Sequence, residues 1–135
     1  MPTAIVFPDA AEVYTRYLRE QLAARGDLVH VGTRVPSPRP ARLVRAERIG
    51  GAQLGTITDR PRLDVHCWGA TEADAADLVA VVRALTLAMP GWRGAVVYDL
   101  AEVGGPNLLP DAATSSPRYA FAVELSIRGT ALAPA

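Results

Sequence analysis

The stretch from Pro61 to Met89 constrains the fold most, because its hydrophobic period changes in the middle. From residue 63 to residue 68 the side chains alternate, which is the two-residue period of a half-buried strand. One side of this strand carries Leu63, Val65 and Cys67, and the other carries Asp64, His66 and Trp68. After Gly69 apolar residues recur every three or four positions, which is the helical period, at Leu78, Val82, Leu85 and Met89.

The second half of this stretch therefore predicts a long, apolar helix. Thr71 is a suitable N-cap, with acidic residues in the following turn, where the helix dipole favours negative charge. Pro90-Gly91 ends the helix. One strand leads directly into this helix, and the helix needs a sheet to pack against.

The residues before this stretch predict another helix and two strands. The first helix runs from Ala10 to about Arg25, with Asp9 as N-cap and Gly26 after its end. A strand at 28–35 leads into a stiff, exposed connection with three prolines at 36–40. The strand at 41–49 has charge on both faces, which is typical of an edge strand or a contact surface. Residues 56–59 either extend the next strand backward or form a loop.

The residues after the second helix predict two further strands. The first, at 95–103, is apolar enough to be buried, and a long connection at 104–117 follows it. Connections longer than about 12 residues are usually functional or ordered by a partner. The strand at 118–128 is the clearest, with Tyr119, Phe121, Val123, Leu125 and Ile127 on one face. Residues 1–8 form an N-terminal arm and residues 130–135 a frayed tail.

The element order α-β-β-β-α-β-β predicts an α+β fold in one domain, residues 1–135. We expect a mainly antiparallel sheet with both helices packed on one face, because the strands on either side of the second helix form hairpin-like pairs. The face of the last strand that carries Phe121, Val123 and Leu125 should receive the helices.

Composition excludes several classes of protein. Half of the residues are hydrophobic and the net charge is zero, which argues against disorder and against a broad basic field for nucleic acid. Cys67 is the single cysteine, so the chain cannot form an internal disulfide. We found no signal peptide and no apolar segment of membrane-spanning length, and we expect a protein that stays in the cytoplasm or in a particle assembled there.

The sequence offers little catalytic chemistry. His30 and His66 lie inside predicted strands, and neighbours such as His66 and Cys67 point to opposite faces. Asp74 and Asp77 share a helix face near its N-terminus, where compensation of the dipole is the simpler role. The adjacent glycines Gly50-Gly51 and Gly104-Gly105 do not belong to a phosphate-binding motif. We therefore predict no catalytic residue, no cofactor and no metal site.

Two segments are candidate interaction surfaces. A basic cluster holds only one acidic residue, Glu47, and comprises Arg34, Arg39, Arg42, Arg45 and Arg48. It is either a solvated edge or a surface for a negatively charged protein or nucleic acid. No aromatic residue interleaves it, which weakens the single-strand nucleic-acid alternative. The other segment is the long connection with the start of the last strand, where we expect Leu108 and Leu109 to be exposed. The candidates here are Leu108, Leu109, Asp111 and Arg118.

Several short segments of the sequence, taken together, resemble a known family. The phrase Arg-Leu-Asp-Val-His-Cys-Trp-Gly (62–69), with the Thr-Glu-Ala-Asp-Ala-Ala-Asp-Leu helix (71–78), is similar to the tail terminator proteins of long-tailed bacteriophages. The phrases Val-Gly-Gly-Pro, Leu-Pro-Asp and Ser-Pro-Arg-Tyr-Ala-Phe-Ala-Val-Glu-Leu-Ser-Ile-Arg-Gly, the last at 116–129, are similar to the versions in phages of actinobacteria. The resemblance covers about residues 9–129.

The resemblance implies a structural virion protein without enzymatic activity. Such a protein forms a homo-oligomer, most often a hexameric ring, that caps the tail tube, ends its polymerisation and offers a surface to the head-side connector or stopper protein. The major tail tube protein is its other partner, and DNA passes through the lumen without sequence-specific binding. The expected location is the tail or neck of a virion assembled in the host cytoplasm.

Two other functions remain open at this point. One is another neck or head-tail connector component of similar size. The other is a small soluble enzyme or ligand-binding domain with a pocket between helices and sheet. We also expect that replacing Arg42, Arg45 and Arg48 together by Glu impairs assembly and leaves the fold intact, because charged edge positions contribute little to a core.

Overall fold

The computed structural model describes residues 3–134, and Met1, Pro2 and Ala135 lie outside that range. Its architecture is the predicted α+β fold. The elements in chain order are β1 (Ile5–Val6), α1 (Ala10–Ala24), β2 (His30–Gly32), β3 (Leu43–Arg48), β4 (Thr58–Asp59), β5 (Arg62–Trp68), α2 (Glu72–Leu87), β6 (Val97–Leu108), β7 (Arg118–Arg128) and β8 (Thr130–Ala131).

The main sheet is built around β7. Strand β5 pairs with one side of β7, and β4 continues the same antiparallel ladder, so residues 58–59 do extend the next strand backward. Strand β6 pairs with the other side of β7. The order across the sheet is β2-β3-β5-β7-β6, and only the β2–β3 pair is parallel. The prediction of a mainly antiparallel sheet is confirmed.

Both helices pack on one face of this sheet, as predicted. Helix α1 contacts β2 and β3, whereas α2 contacts β5, β6 and β7. The predicted caps form: Asp9 accepts a hydrogen bond from the Glu12 amide at 3.2 Å, and Thr71 accepts one from the Asp74 amide at 3.1 Å. Burying each large aliphatic side chain of the core stabilises the fold by about 1.5–3 kcal/mol. That core includes Leu18, Leu22, Leu63, Leu78, Val82, Leu125 and Ile127.

The turn between β5 and α2 depends on Gly69. A Cβ added to this glycine would lie 2.4 Å from the Ala75 amide nitrogen and 2.9 Å from the Ala75 Cα. The first turn of α2 therefore approaches the end of β5 more closely than any larger residue allows. This contact lets a strand pass directly into a helix that covers the same sheet.

Strand β3 corrects the expectation of an edge strand. It lies between β2 and β5, and it is flanked on both sides. Val44 and Ala46 are fully buried toward the helices, whereas Arg45 and Glu47 lie on the opposite face. Its charges mark the outer face of the sheet and not its edge. The strand predicted at 28–35 shrinks to the three residues of β2.

Strand β6 corrects two further expectations. It continues through Gly104-Gly105-Pro106 to Leu108, so the connection to β7 shortens to residues 109–117. It is also mostly exposed or half-buried, because it forms the free side of the sheet beyond β7 among the described residues. Three register shifts absorb the extra residues of this segment.

The ends of the described chain form a small separate ribbon. Strands β1 and β8 pair antiparallel, with Ile5 opposite Ala131 and Val6 opposite Thr130. Residues 130–131, expected to be part of a frayed tail, are thus paired with the expected N-terminal arm. No helix of residues 3–134 combines the length and the apolar character needed to cross a membrane.

Candidate interaction surfaces

The arginines of the predicted basic cluster are largely engaged within the chain. Arg42 donates to both carboxylate oxygens of Asp27, at 2.9 and 3.0 Å. Arg45 pairs with Glu47 at 2.7 Å, its neighbour on the same face of β3. Intramolecular acids therefore neutralise much of this charge, and the cluster does not form one continuous basic surface.

Arg48 is held more firmly than the other members of the cluster. Its guanidinium donates to both carboxylate oxygens of Asp59, at 2.7 and 3.2 Å, and to the carbonyl oxygens of Gly50 and Gly51. The Asp59 side chain is only 6% exposed. Arg48 thus closes the turn between β3 and β4 and compensates a buried carboxylate, which is a structural role.

Arg34 and Arg39 lie apart from these pairs. Arg34 is exposed, and it lines a cleft of about 650 Å³ between the first half of α1 and the segment 30–36, together with Asp9, Glu12 and His30. Arg39 extends in another direction and donates to the hydroxyl of Ser116 at 2.9 Å. The structure therefore places Arg39 with the second set of candidates, near the connection between β6 and β7.

That connection covers Trp68 on the outer face of the sheet. The Trp68 indole nitrogen donates to Asp111 Oδ2 at 3.2 Å, and the Arg118 guanidinium lies 5.4 Å from the centre of the Trp68 ring. Arg118 also donates to the carbonyl oxygen of Leu109 at 2.9 Å. Trp68 is only 2% exposed although it points away from the helices. We call residues 109–117 the strap, because Asp111 within them binds this tryptophan.

The strap residues have distinct environments. Asp111 accepts hydrogen bonds from the Ala113 amide and from Trp68, and these bonds, with the charge of Arg118, hold its pKa below the usual range. Leu108 and Leu109 keep large exposed surfaces, as predicted for them. The structure thus brings together Arg39, Leu109, Asp111 and Arg118, whereas Arg34, Arg42, Arg45 and Arg48 belong to other parts of the molecule.

The residues that carry chemistry form no catalytic arrangement. His66 Nε2 lies 3.0 Å from Asp64 Oδ2 on the outer face, and burial lowers the pKa of the imidazole. Cys67 points into the core between sheet and helices, where burial raises the pKa of its thiol. Strand alternation thus separates these neighbours, as expected. Within residues 3–134 no group of His, Cys, Asp or Glu is arranged to hold a metal ion.

Sequence reasoning missed an exposed apolar series along β6. Val96, Tyr98 and Val103 each expose about two-fifths of their surface or more, and Leu108 continues the series. Tyr98 and Val103 are the extra residues at two register shifts, between Val97 and Asp99 and between Glu102 and Gly104. The run of apolar residues indicated a buried strand, and nothing in it marks where the strand is irregular.

Comparison with known proteins adds no identification: no protein-family model matches the chain, and no curated protein matches it.

Proposed function

We propose that this chain is a structural virion protein that caps the tail tube of a long-tailed bacteriophage. As a ring of several copies, most simply a hexamer, it ends tube polymerisation and presents the joining surface for the head. Its partners are further copies of itself, the major tail tube protein and a head-side connector or stopper protein. DNA passes through the lumen of the ring without sequence-specific contacts. The chain acts in the virion neck after assembly in the host cytoplasm, without a cofactor.

The observation that carries the proposal is the exposed apolar series along β6. Val96, Tyr98, Val103 and Leu108 are exposed on or next to β6, the strand at the free side of the sheet. Several large apolar groups exposed on one strand offer contact sites for other proteins. A chain that acts through contacts in an assembly needs such surfaces.

The fold also agrees with the small α+β domain that the resemblance to tail terminator proteins implies. The arginines on and just before β3 support an assembly role only in part, because most of their charge is compensated within the chain. The strap, which begins with exposed Leu109 and follows exposed Leu108, is a second surface of suitable character.

The decisive experiment adds the purified chain to polymerising major tail tube protein. We expect tubes that are shorter on average, each with a density at one end in electron micrographs, because a capping ring removes the growing end. The Val103→Glu variant should cap less well, since it places a charge in the exposed apolar series. The Leu54→Lys variant is the matched control, because Leu54 is an exposed aliphatic residue in the turn between β3 and β4.

The proposal is wrong if tube lengths and tube ends are the same with and without the chain, while the chain itself is folded. Sedimentation with the tubes measures the contact independently of the length distribution.

A further inference from the structure

A pocket near the two ends of the described chain has no part in the proposed function. It has a volume of about 380 Å³ and lies between the β1–β8 ribbon, the start of α1 and the segment that leads into β6. This volume is near the lower end of the range for small-molecule sites. We call it the ribbon pocket. Its apolar lining residues are Val6, Phe7, Pro8, Val13, Ala95 and Val96.

Two glycines let aromatic side chains pack closely beside the ribbon pocket. A Cβ added to Gly129 would lie 2.8 Å from the ring of Phe7, so this ring packs directly on the backbone. A Cβ added to Gly94 would overlap the ring of Trp92 in the same way. Both rings are therefore fixed by close contact with the backbone, and the wall that Phe7 provides is preformed.

Arg16 places one positive charge at the ribbon pocket. Its guanidinium donates to the carbonyl oxygen of Gly94 at 3.2 Å and lies 5.3 Å from the centre of the Trp92 ring. Its acidic neighbour Glu12 is 3.8 Å away, and both side chains are about half exposed, so this ion pair is weak. Arg16 is thus held in place while its charge is only partly compensated.

Arg128 places a second positive charge at the ribbon pocket. Its amide donates to the carbonyl oxygen of Val96 at 2.9 Å, which ties the end of β7 to the apolar wall. Its side chain is exposed, and it forms no ion pair with any acid of residues 3–134. The ribbon pocket therefore combines an apolar lining with one uncompensated guanidinium, that of Arg128.

We infer that the ribbon pocket binds a small apolar monocarboxylate. The apolar body of the ligand covers Val6 and Val96, which expose 46% and 51% of their surface in the free chain. Its carboxylate accepts hydrogen bonds from Arg128, because the guanidinium fork matches the two carboxylate oxygens. One uncompensated cation matches one negative charge, so a doubly charged phosphate monoester fits less well.

An extended peptide is a less suitable occupant than a small molecule. Recognition of a peptide as an added strand relies on a run of main-chain hydrogen bonds. Strands β1 and β8 have only two residues each and already pair with each other. The ribbon pocket thus offers side chains and no long strand edge. This inference goes beyond the proposed function and does not depend on it.

The experiment titrates isotope-labelled protein with octanoate and follows the amide chemical shifts. We expect saturable shifts around the ribbon pocket, at Val6, Ala95 and Thr130, with a Kd of about 0.1–1 mM. Neutral 1-octanol has a similar apolar body without the charge, and acetate has the charge without the body. Each of these two should bind at least about fivefold more weakly than octanoate.

Two variants test the two halves of the ribbon pocket. Arg128→Gln should weaken octanoate binding at least about fivefold and leave 1-octanol binding unchanged, because only the carboxylate needs the guanidinium. Val96→Asp should weaken octanoate binding at least about tenfold, since it places a carboxylate in the apolar wall. Both residues are exposed, so the thermal midpoints should stay at the wild-type value. Arg93→Gln is the matched control, because Arg93 is exposed and does not line the pocket.

Three outcomes overturn the inference. A titration without saturable shifts at the ribbon pocket shows that the pocket does not take this class of ligand. Equal binding of octanoate and 1-octanol to the wild type shows that the arginines do not recognise a carboxylate. Equal losses in Arg93→Gln and Arg128→Gln show a non-specific attraction of charge. None of these results decides the proposed function, since Val103, which the capping experiment changes, does not line this pocket.

Discussion

The indole nitrogen of Trp68 and the carboxylate of Asp111 are joined by a hydrogen bond of 3.2 Å, which ties the last residue of β5 to the strap. Trp68 lies on the face of the sheet opposite to the helices, yet it is almost completely buried. Two of its contacts, with Asp111 and Arg118, come from residues more than forty positions later in the chain. The strap also receives Arg39 through Ser116, so it connects three segments.

The first prediction concerns this tie. The Asp111→Ala variant loses the acceptor for both Trp68 and the Ala113 amide, and we expect a free energy of unfolding lower by about 1–2 kcal/mol. Fluorescence of Trp68, recorded in a Trp92→Phe background, should shift to the red as water reaches the indole. Asp77→Ala is the control, because Asp77 is exposed on α2. An unchanged emission maximum would show that the strap covers Trp68 without this bond.

The same carboxylate predicts a dependence on pH. The pKa of Asp111 is depressed in the folded chain, by the hydrogen bond from the Ala113 amide and then by Trp68 and Arg118. A depressed pKa contributes stability that is present above the unfolded value of about 3.9 and is lost as the pH falls through the folded value. Trp68 emission should therefore shift on acidification below about pH 4. In Asp111→Asn, which cannot titrate at this position, the shift should be absent.

The third prediction concerns the junction between β5 and α2. Gly69→Ala introduces a Cβ within 2.4 Å of a backbone nitrogen, so the helix must move away from the sheet. We expect a loss of stability of about 1–3 kcal/mol or more, measured by denaturant unfolding. Gly105→Ala is the matched control, because a Cβ there meets no atom within 4 Å. Equal stability of the two variants would contradict the close approach at Gly69.

The fourth prediction uses a buried tyrosine between the helices. Tyr14 and Thr86 share a hydrogen bond of 2.6 Å, and burial raises the pKa of the Tyr14 hydroxyl. A raised pKa contributes stability that is complete below the unfolded value of about 10 and is lost as the pH rises above it. The wild-type unfolding midpoint should therefore fall between pH 9 and pH 11 more steeply than that of Tyr14→Phe.

At neutral pH the Tyr14→Phe variant should lose only about 0.5–1.5 kcal/mol, because the Thr86 hydroxyl still donates to the Val82 carbonyl at 2.7 Å. Tyr98→Phe, at an exposed position on β6, should leave the midpoint and its pH dependence unchanged. A parallel pH dependence of all three proteins would exclude Tyr14 as the cause.

The fifth prediction revises the expectation for the arginines of β3. Arg48→Glu would place a second carboxylate beside Asp59 and remove four hydrogen bonds, so we expect a loss of at least about 1.5–3 kcal/mol. The triple replacement of Arg42, Arg45 and Arg48 by Glu should therefore destabilise the fold, mainly because of the change at Arg48. Arg34→Glu is the control, and it should leave the thermal midpoint unchanged because Arg34 is exposed. Equal thermal midpoints of Arg48→Glu and Arg34→Glu would show that Arg48 has no structural role.

Much of the fold could be predicted because local signals and burial agree. Asp9 and Thr71 cap their helices, and β7 begins and ends at the predicted residues, Arg118 and Arg128. In each case a polar cap or strict alternation allows only one arrangement that both satisfies the backbone hydrogen bonds and buries the apolar face. The two faces of β5 were predicted for the same reason, with Leu63, Val65 and Cys67 toward the helices.

The position of a strand within the sheet could not be predicted in this way. Charges on β3 suggested an edge, but Arg45 and Glu47 pair with each other on the outer face of an inner strand. Apolar residues on β6 suggested burial, but the strand is at the free side of the sheet. Pairing between distant segments decides both questions, and periodicity within one segment carries no information about it.

The candidate surfaces show the same limit. Leu108 and Leu109 are exposed as expected, whereas the acidic partners Asp27 and Asp59 of the arginines lie 15 and 11 positions away in sequence. The tie between Trp68 and Asp111 spans 43 positions. Such contacts depend on the completed fold and have no local signature.

The ribbon of β1 and β8 has a consequence for protein engineering. Ile5 and Ala131 are register partners, so their Cα atoms are separated by only about 4.5–5.5 Å, and a linker of a few glycines could join them. Breaking the chain instead among residues 53–56, in the exposed turn between β3 and β4, would yield a circular permutant. This permutant would keep every strand pair of the main sheet, and its new termini would begin and end beside β4, which pairs with the last residues of β7.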